Sequence, residues 1–377
     1  MAQRFGPDHD RVAAAVAAWQ RSPSDETAAE LYAASEPRRQ ELLRRLNLAP
    51  GGTAALVAMR EQLMDALERR KDLEPVDADF VHLFSSWFNR GFLVLRRIDW
   101  STPAIVLEKI IRYEAVHEIR DWLDLRRRID PPDRRCYAFF HPALVDEPLI
   151  FVEVALTPNI ADAIAPILAV ERAPLPPARA NSAVFYSISN CQRGLAGVSF
   201  GHFLIKQVVE EICREMPRLS TFVTLWPVPG FAKCLARERA NDGSPFLTAD
   251  DRARLAALDL PAWWENKDTE DTVREPLLRA AASYFLAART PRGVPVDPVA
   301  RFHLGNGARL EQLDWLADTS PKGLEQSHGL MVNYLYDLDD IEKNHESYAA
   351  SRTIVASNAV RRLARGAVVQ LMPAVAG

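Results

Sequence analysis

The stretch that decides the fold runs from Ala183 to Phe231: AVFYSISNCQRGLAGVSFGHFLIKQVVEEICREMPRLSTFVTLWPVPGF. Its β-branched and aromatic residues predict one strand at Ala183 to Ile188 and another at Thr221 to Leu225. The apolar spacing over Phe203 to Glu215 predicts an amphipathic helix between them. A strand–helix–strand unit of this length joins parallel or neighbouring strands through a right-handed crossover. The order of elements therefore predicts an α/β domain.

Three glycines lie between the first predicted strand and the helix: Gly194, Gly197 and Gly201. Glycine lets the main chain approach a ligand closely, and the free N–H groups of a helix N-terminus bind phosphate groups such as those of coenzyme A. The loop is not a GxGxxG dinucleotide motif, and it lacks the Gly-Lys-Ser/Thr of a P-loop. From the spacing alone, a tight structural turn is as good an interpretation as a phosphate site.

The rest of the chain divides into a helical part and a mixed part. Residues 1–90 predict helices only, including 54–71 and 76–88, and we expect them to form a helical bundle domain used for oligomer contacts or scaffolding. The composition changes after Gly91, and residues 91–377 are predicted as a second domain. A buried strand is predicted in this domain at 148–156, and helices are predicted further along at 249–258, 275–288 and 347–370.

The composition excludes several classes of protein. Of 377 residues, 48% are hydrophobic and 25% are charged, with a formal net charge of -4, which argues against a nucleic-acid or anionic-membrane binder. The four cysteines show no CxxC spacing and no HExxH motif is present, so no metal site is predicted. No apolar run is long enough to span a bilayer, and no secretory signal opens the sequence. A cytoplasmic protein is the expectation.

One histidine stands out in the segment FHLGNGA at 302–308. His303 precedes Gly305-Asn306-Gly307, a tight turn that predicts a loop-like setting at the edge of a cleft. Histidine delivers protons well near neutral pH, although a lone histidine is more often structural, and both interpretations stay open. His202 opens the helix after the glycine loop, where a phosphate contact and simple helix-terminal placement are equally good interpretations. A Ser-His-Asp enzyme is excluded because the Gly-x-Ser-x-Gly motif is missing.

Several motifs together resemble the malonyl-CoA decarboxylase family and occur in that family's order from Phe84 onward. They are EAVHEIRDWLDLRRRI, DRRCYAFFHP, PLIFVEVALT, FYSISNCQRGLAGVSFGHFLIK, LWPVPGF, FHLGNGA and GLMVNYLYDLDDIEKNHESY. The resemblance implies an α+β protein: an N-terminal helical bundle domain followed by a GCN5-related acetyltransferase-like domain with a mixed sheet.

The resemblance also implies a reaction and a site. The expected reaction converts malonyl-CoA to acetyl-CoA and CO2 without metal or organic cofactor, with His303 as proton donor and Tyr336 in the same pocket. Asn306, in the histidine's motif, is expected among the substrate-binding residues. The residues expected to hold the pyrophosphate of coenzyme A are Ala196, Gly197, Val198, Ser199, Phe200, Gly201 and His202. A homo-oligomer is expected, with no nucleic-acid or membrane partner.

The chain departs from the family pattern at two positions. Trp226 stands where the family has a catalytic, substrate-contacting serine, and Ser199 stands where it commonly has an acidic residue. An indole N–H donates one hydrogen bond but cannot relay a proton as a hydroxyl does. Three hypotheses follow: a malonyl-CoA decarboxylase, a divergent decarboxylase or acyltransferase of a biosynthetic pathway acting on another acyl thioester, and a non-catalytic acyl-CoA-binding protein.

Overall fold

The N-terminal part of the protein consists of helices. A computed structural model describes residues 5–198 and 204–364. Helices α1 to α5 span His9–Arg21, Asp25–Ser35, Arg38–Asn47, Gly52–Leu67 and Glu74–Trp87. Side chains of Asp8 and Ser24 cap the first two helices by accepting main-chain N–H bonds. The prediction of helices alone is confirmed for the described residues up to 90, although α4 ends at Leu67 and not at Lys71.

The second part is built on a seven-stranded sheet. Strands β1 to β7 span Val94–Ile98, Arg134–Phe140, Pro148–Thr157, Ser182–Asn190, Thr221–Pro227, Arg309–Asp314 and Met331–Leu335. Their order in the sheet is β1-β2-β3-β4-β5-β7-β6. The pair β4 and β5 is parallel, and the other neighbouring pairs are antiparallel. The predicted α+β class with a mixed sheet is confirmed.

The parallel pair opens into a gap. Strands β4 and β5 pair only from Ser182 and Thr221 as far as Phe185 and Thr224. Strand β4 nevertheless continues to Asn190 along its other neighbour, β3. Beyond Phe185 the side of β4 that faces β5 therefore has main-chain groups without a strand partner. An extended ligand could bind to these groups.

Helices cover both faces of the sheet. Helices α6 to α16 span Ala104–Tyr113, Trp122–Ile129, Ala165–Leu168, Leu204–Glu215, Phe231–Arg239, Ala249–Leu255, Lys267–Leu286, Pro298–Gly305, Pro321–Ser327, Ile341–Ser351 and Asn358–Ala364. The crossover helix α9 lies where it was predicted. No helix in the described ranges is both long enough and apolar enough to cross a membrane.

Two predicted helices differ from the structure. The helix expected at 275–288 is part of α12, which begins earlier because the side chain of Asn266 caps it. The single helix expected over 347–370 is wrong: α15 ends at Ser351, where Arg352 takes a left-handed conformation with φ of 57°, and α16 begins anew at Asn358. Residues 365–370 lie outside the described residues.

The helical part and the sheet share one hydrophobic core. Leu56 of α4 and Phe84 of α5 pack in the same cluster as Val152 of β3 and Val208 of α9. The side chains of β2 alternate between this cluster and a second cluster beneath α6 and α7 on the opposite face. The predicted division at residue 90 stays a prediction, but the two parts are not separated by solvent.

Candidate active site

His303 lies in the last turn of helix α13 and is fully buried. The side chain of Asp297 starts this helix by accepting the N–H of Ala300 at 2.8 Å, and Pro298 fills the first helical position. The predicted loop-like setting is therefore wrong, whereas residues 302, 305 and 306 around the histidine do line a cavity. The apolar spacing around the histidine extends the helix as far as Gly305, and the glycine turn only ends it.

The imidazole of His303 is enclosed by aromatic side chains. Its Nδ1 lies 2.8 Å from the hydroxyl of Tyr336, and its ring stacks on Tyr334 with centroids 4.5 Å apart and planes at 22°. Trp226 meets it edge-on, with ring centroids 5.4 Å apart. The structure thus brings together the predicted residues His303, Tyr336 and Trp226. Nε2 has no hydrogen-bond partner among the described residues.

Burial determines the charge of the His303 and Tyr336 side chains. It lowers the pKa of His303 to about 3 and raises the pKa of Tyr336 well above its ordinary value. Both side chains are therefore neutral near pH 7. A neutral phenol that donates its O–H to Nδ1 leaves the imidazole proton on Nε2, the nitrogen without a partner. This arrangement presents a buried N–H donor that faces no acceptor among the described residues.

A cavity of about 910 Å³ lies at the end of β4 that no longer pairs with β5. Asn190, the last residue of β4, lines it together with Ala196, Gly197 and Val198 of the glycine loop. The predicted residue Asn306 lines the opposite wall, with Phe302 and Gly305 of α13. The predicted phosphate-binding residues Ser199, Phe200, Gly201 and His202 lie outside the described residues.

The glycine loop is held by helix α4. Arg60 is buried, and its Nη1 donates hydrogen bonds to the carbonyl oxygens of Gly194 at 2.9 Å and Ala196 at 2.8 Å. A Cβ added to Gly194 would lie 2.1 Å from the carbonyl oxygen of Val57. Glycine is thus needed at 194 for close packing against α4. At Gly197 it is needed for a φ of +76°.

Two side chains that shape this site, Tyr334 and Arg60, were not predicted from the sequence. Tyr334 lies two residues before Tyr336, and alternate residues of an extended segment share a face, so the spacing alone could have paired them. Arg60 carries no such signal: besides its ion pair with Asp77 at 2.9 Å, its partners are main-chain carbonyls 134 and 136 residues away. A contact of that kind is visible only in the folded structure.

The chain matches sequence models of one family along most of its length. The model described as the malonyl-CoA decarboxylase N-terminal domain matches residues 5–88, and the C-terminal domain model matches residues 91–373. Malonyl-CoA decarboxylase, mitochondrial, of Anser anser anser is 36% identical over 392 residues, covering 96% of this chain and 77% of that protein. The Rattus norvegicus protein of the same name is 36% identical over 399 residues, covering 96% and 80%.

Solved structures agree with these matches. The crystal structure of malonyl-CoA decarboxylase from Rhodopseudomonas palustris superposes with a TM-score of 0.90 at 62% identity, covering 96% of this chain and 88% of the other. The structure of malonyl-CoA decarboxylase from Agrobacterium vitis gives a TM-score of 0.91 at 57% identity with the same coverage. The chain belongs to the malonyl-CoA decarboxylase family.

Proposed function

We propose that this protein is a carbon–carbon lyase that converts malonyl-CoA to acetyl-CoA and CO2, with His303 as proton donor. The observation that supports this most directly is the buried imidazole, whose Nδ1 is bonded to Tyr336 while Nε2 has no partner among the described residues. Membership of the family and a ligand-sized cavity beside the glycine loop also support the proposal.

The shape of the site suggests how a CoA thioester binds. The nucleotide end would lie in the cavity, and the pantetheine arm would pass the end of β4, which lines that cavity, into the gap between β4 and β5. Main-chain groups of β4 beyond Phe185 lack a strand partner there and could bond to the amides of the arm. The thioester would then reach Trp226 on β5 and His303 beside it.

The reaction needs no metal or organic cofactor, because the thioester carbonyl accepts the electron pair. Breaking the bond between the α-carbon and the carboxylate releases CO2 and leaves an enolate. A proton from Nε2 of His303 then forms the new C–H bond, and the imidazole regains a proton from solvent. One proton is consumed for each malonyl-CoA converted.

The negative charge of the substrate can convert His303 into the acid that the reaction needs. A carboxylate placed beside Nε2 raises the pKa of the imidazole, which burial otherwise holds at about 3. Binding of malonyl-CoA therefore favours the imidazolium form of His303. CO2 leaves as a neutral molecule and the negative charge passes to the enolate, whose α-carbon takes the proton from Nε2 and leaves the imidazole neutral. The surrounding aromatic side chains keep water away from the enolate.

Trp226 favours a second candidate, because the family's serine is missing. This candidate is an enzyme that acts on another carboxyacyl or acyl thioester, by decarboxylation or acyl transfer. A panel of acyl-CoA substrates, tested with the wild-type protein and the Trp226→Ser variant, separates the two. The non-catalytic alternative predicts binding of CoA esters in calorimetry without turnover of any thioester.

Incubation with malonyl-CoA, followed by measurement of acetyl-CoA and CO2, tests the main proposal. We expect turnover in the wild-type protein and a loss of at least about a hundredfold in His303→Ala, the range for removing a general acid. No turnover above the His303→Ala background would rule the proposal out. The cytoplasmic location and the homo-oligomeric state stay predictions.

A further inference from the structure

The cavity beside the glycine loop is positively charged. Of the described residues that line it, three carry a guanidinium group, Arg112, Arg193 and Arg301, and one carries a carboxylate, Glu61. The three arginines come from α6, from the 3₁₀ turn Arg193–Leu195 and from α13. An excess of cations in a concave site attracts anionic ligands.

The three arginines differ in how their charges are balanced. Arg193 forms ion pairs with Asp65 and Glu61 of α4, so its charge is largely offset. Neither Arg112 nor Arg301 has a carboxylate within 4.0 Å among the described residues. Within the described residues these two cavity-lining guanidinium groups therefore form no ion pair, and the carboxylate of Asp297 acts on Arg301 only at longer range.

Arg301 is held in position by main-chain bonds. Its Nη1 donates to the carbonyl oxygens of Pro295 at 2.8 Å and Val296 at 3.2 Å. These bonds use one edge of the guanidinium and leave its Nη2 donors without a bond inside the described residues. A fixed guanidinium with a spare edge suits the forked geometry of a phosphate group.

Arg112 approaches the cavity from the other side of the sheet. It lies in the last turn of α6, which packs on the second hydrophobic cluster, whereas α13 packs on the main core. Strand β4 ends between these two layers, and both arginines line the cavity at that end. A ligand with more than one phosphate can contact both helices.

We propose that Arg112 and Arg301 bind the phosphate groups of coenzyme A and make the protein selective for CoA thioesters over thioesters of pantetheine alone. This inference rests on the proposed function of the same site. The described part of the glycine loop, Ala196, Gly197 and Val198, lies at one end of the cavity and offers main-chain groups there. The two arginines add charge-assisted bonds from the remaining walls.

Calorimetric titration with CoA tests this without any turnover. We expect each of Arg112→Gln and Arg301→Gln to weaken CoA binding by about tenfold to a hundredfold, the range for one hydrogen bond to a charged group. Arg218→Gln removes the same charge from an exposed site outside the cavity and should bind CoA as the wild type does. Dephospho-CoA shows whether the 3′-phosphate or the pyrophosphate is the group contacted.

Kinetics provides a second readout. The kcat/KM for malonyl-CoA should fall in both variants, while kcat/KM for malonyl-pantetheine should equal the wild-type value. Arg112 is exposed and makes no main-chain bond of the kind that fixes Arg301, so Arg112→Gln tests the idea even if Arg301→Gln folds poorly. Wild-type CoA affinity in Arg112→Gln, or equal losses with both thioesters, would overturn the inference. Normal CoA binding without turnover would refute the proposed function alone.

Discussion

Replacing Tyr336 by phenylalanine removes one oxygen atom from the site and leaves the buried Nδ1 of His303 without its partner at 2.8 Å. Leaving a buried polar group unbonded costs about 1–3 kcal/mol. At about 1.36 kcal/mol for each factor of ten, this corresponds to a loss of about five- to 150-fold in kcat if the whole cost falls on the reactive arrangement. KM should stay within about twofold, because the hydroxyl bonds to the imidazole and not to a cavity wall.

Tyr334 supplies a matched control. It is also fully buried and also contacts the ring of His303, but its hydroxyl has no hydrogen-bond partner among the described residues. Tyr334→Phe keeps the stacked ring and should retain near wild-type kcat. Initial rates of acetyl-CoA formation, with thermal unfolding to verify folding, give the comparison. Equal kcat values in the two variants would refute the role assigned to the Tyr336 hydroxyl.

Four further outcomes are expected. Gly307→Ala should destabilise the protein by several kcal/mol in urea unfolding, because its Cβ would lie 2.0 Å from a main-chain oxygen. Gly293 has a similar φ but open space around it, so Gly293→Ala should cost only about 1 kcal/mol. Equal losses of stability in the two variants would contradict this explanation. Burial raises the pKa of Asp314 to about 7, so the stability it contributes is full below pH 4 and is lost as the pH rises through 7. Asp314→Asn should flatten that part of the Tm–pH curve, and an unchanged curve would count against it. Arg60→Met should raise KM for malonyl-CoA about tenfold with little change in kcat, by removing two bonds to the glycine loop; a fall in kcat alone would argue otherwise. Trp226→Ser should lower the free energy of unfolding by about 3 kcal/mol, and Trp226→Phe by less.

The sequence predicted the parts of the fold that depend on local pattern. The crossover from β4 through α9 to β5 follows from apolar spacing that repeats within about ten residues. The break at Arg352 was missed because its left-handed conformation is not marked by glycine or proline, although the β-branched residues Thr353, Ile354 and Val355 that follow disfavour a helix. A bridge between Leu310 of β6 and Ala356 adds a tertiary contact to this local preference.

Some features of the site were likewise predicted from the sequence, and others were missed. His303 and Tyr336 were predicted from motifs, and the structure brings them into contact. The helical setting of His303 was missed because the following glycines indicated a turn, while the buried Asp297 cap that starts the helix lies six residues earlier. The function of Gly194 was missed for a different reason: its close neighbour is a carbonyl oxygen of α4, far away in the sequence.

The burial of the imidazole couples substrate affinity to stability. Nε2 of His303 is shielded from solvent, so an acyl group reaches it only in the fraction of molecules whose surrounding side chains have moved apart. The apparent dissociation constant is the intrinsic constant divided by that fraction. Substitutions that loosen the packing around Trp226 enlarge the open population and tighten apparent binding while they weaken the fold. Selection for tight substrate binding and selection for a stable protein therefore act in opposite directions at this one side chain.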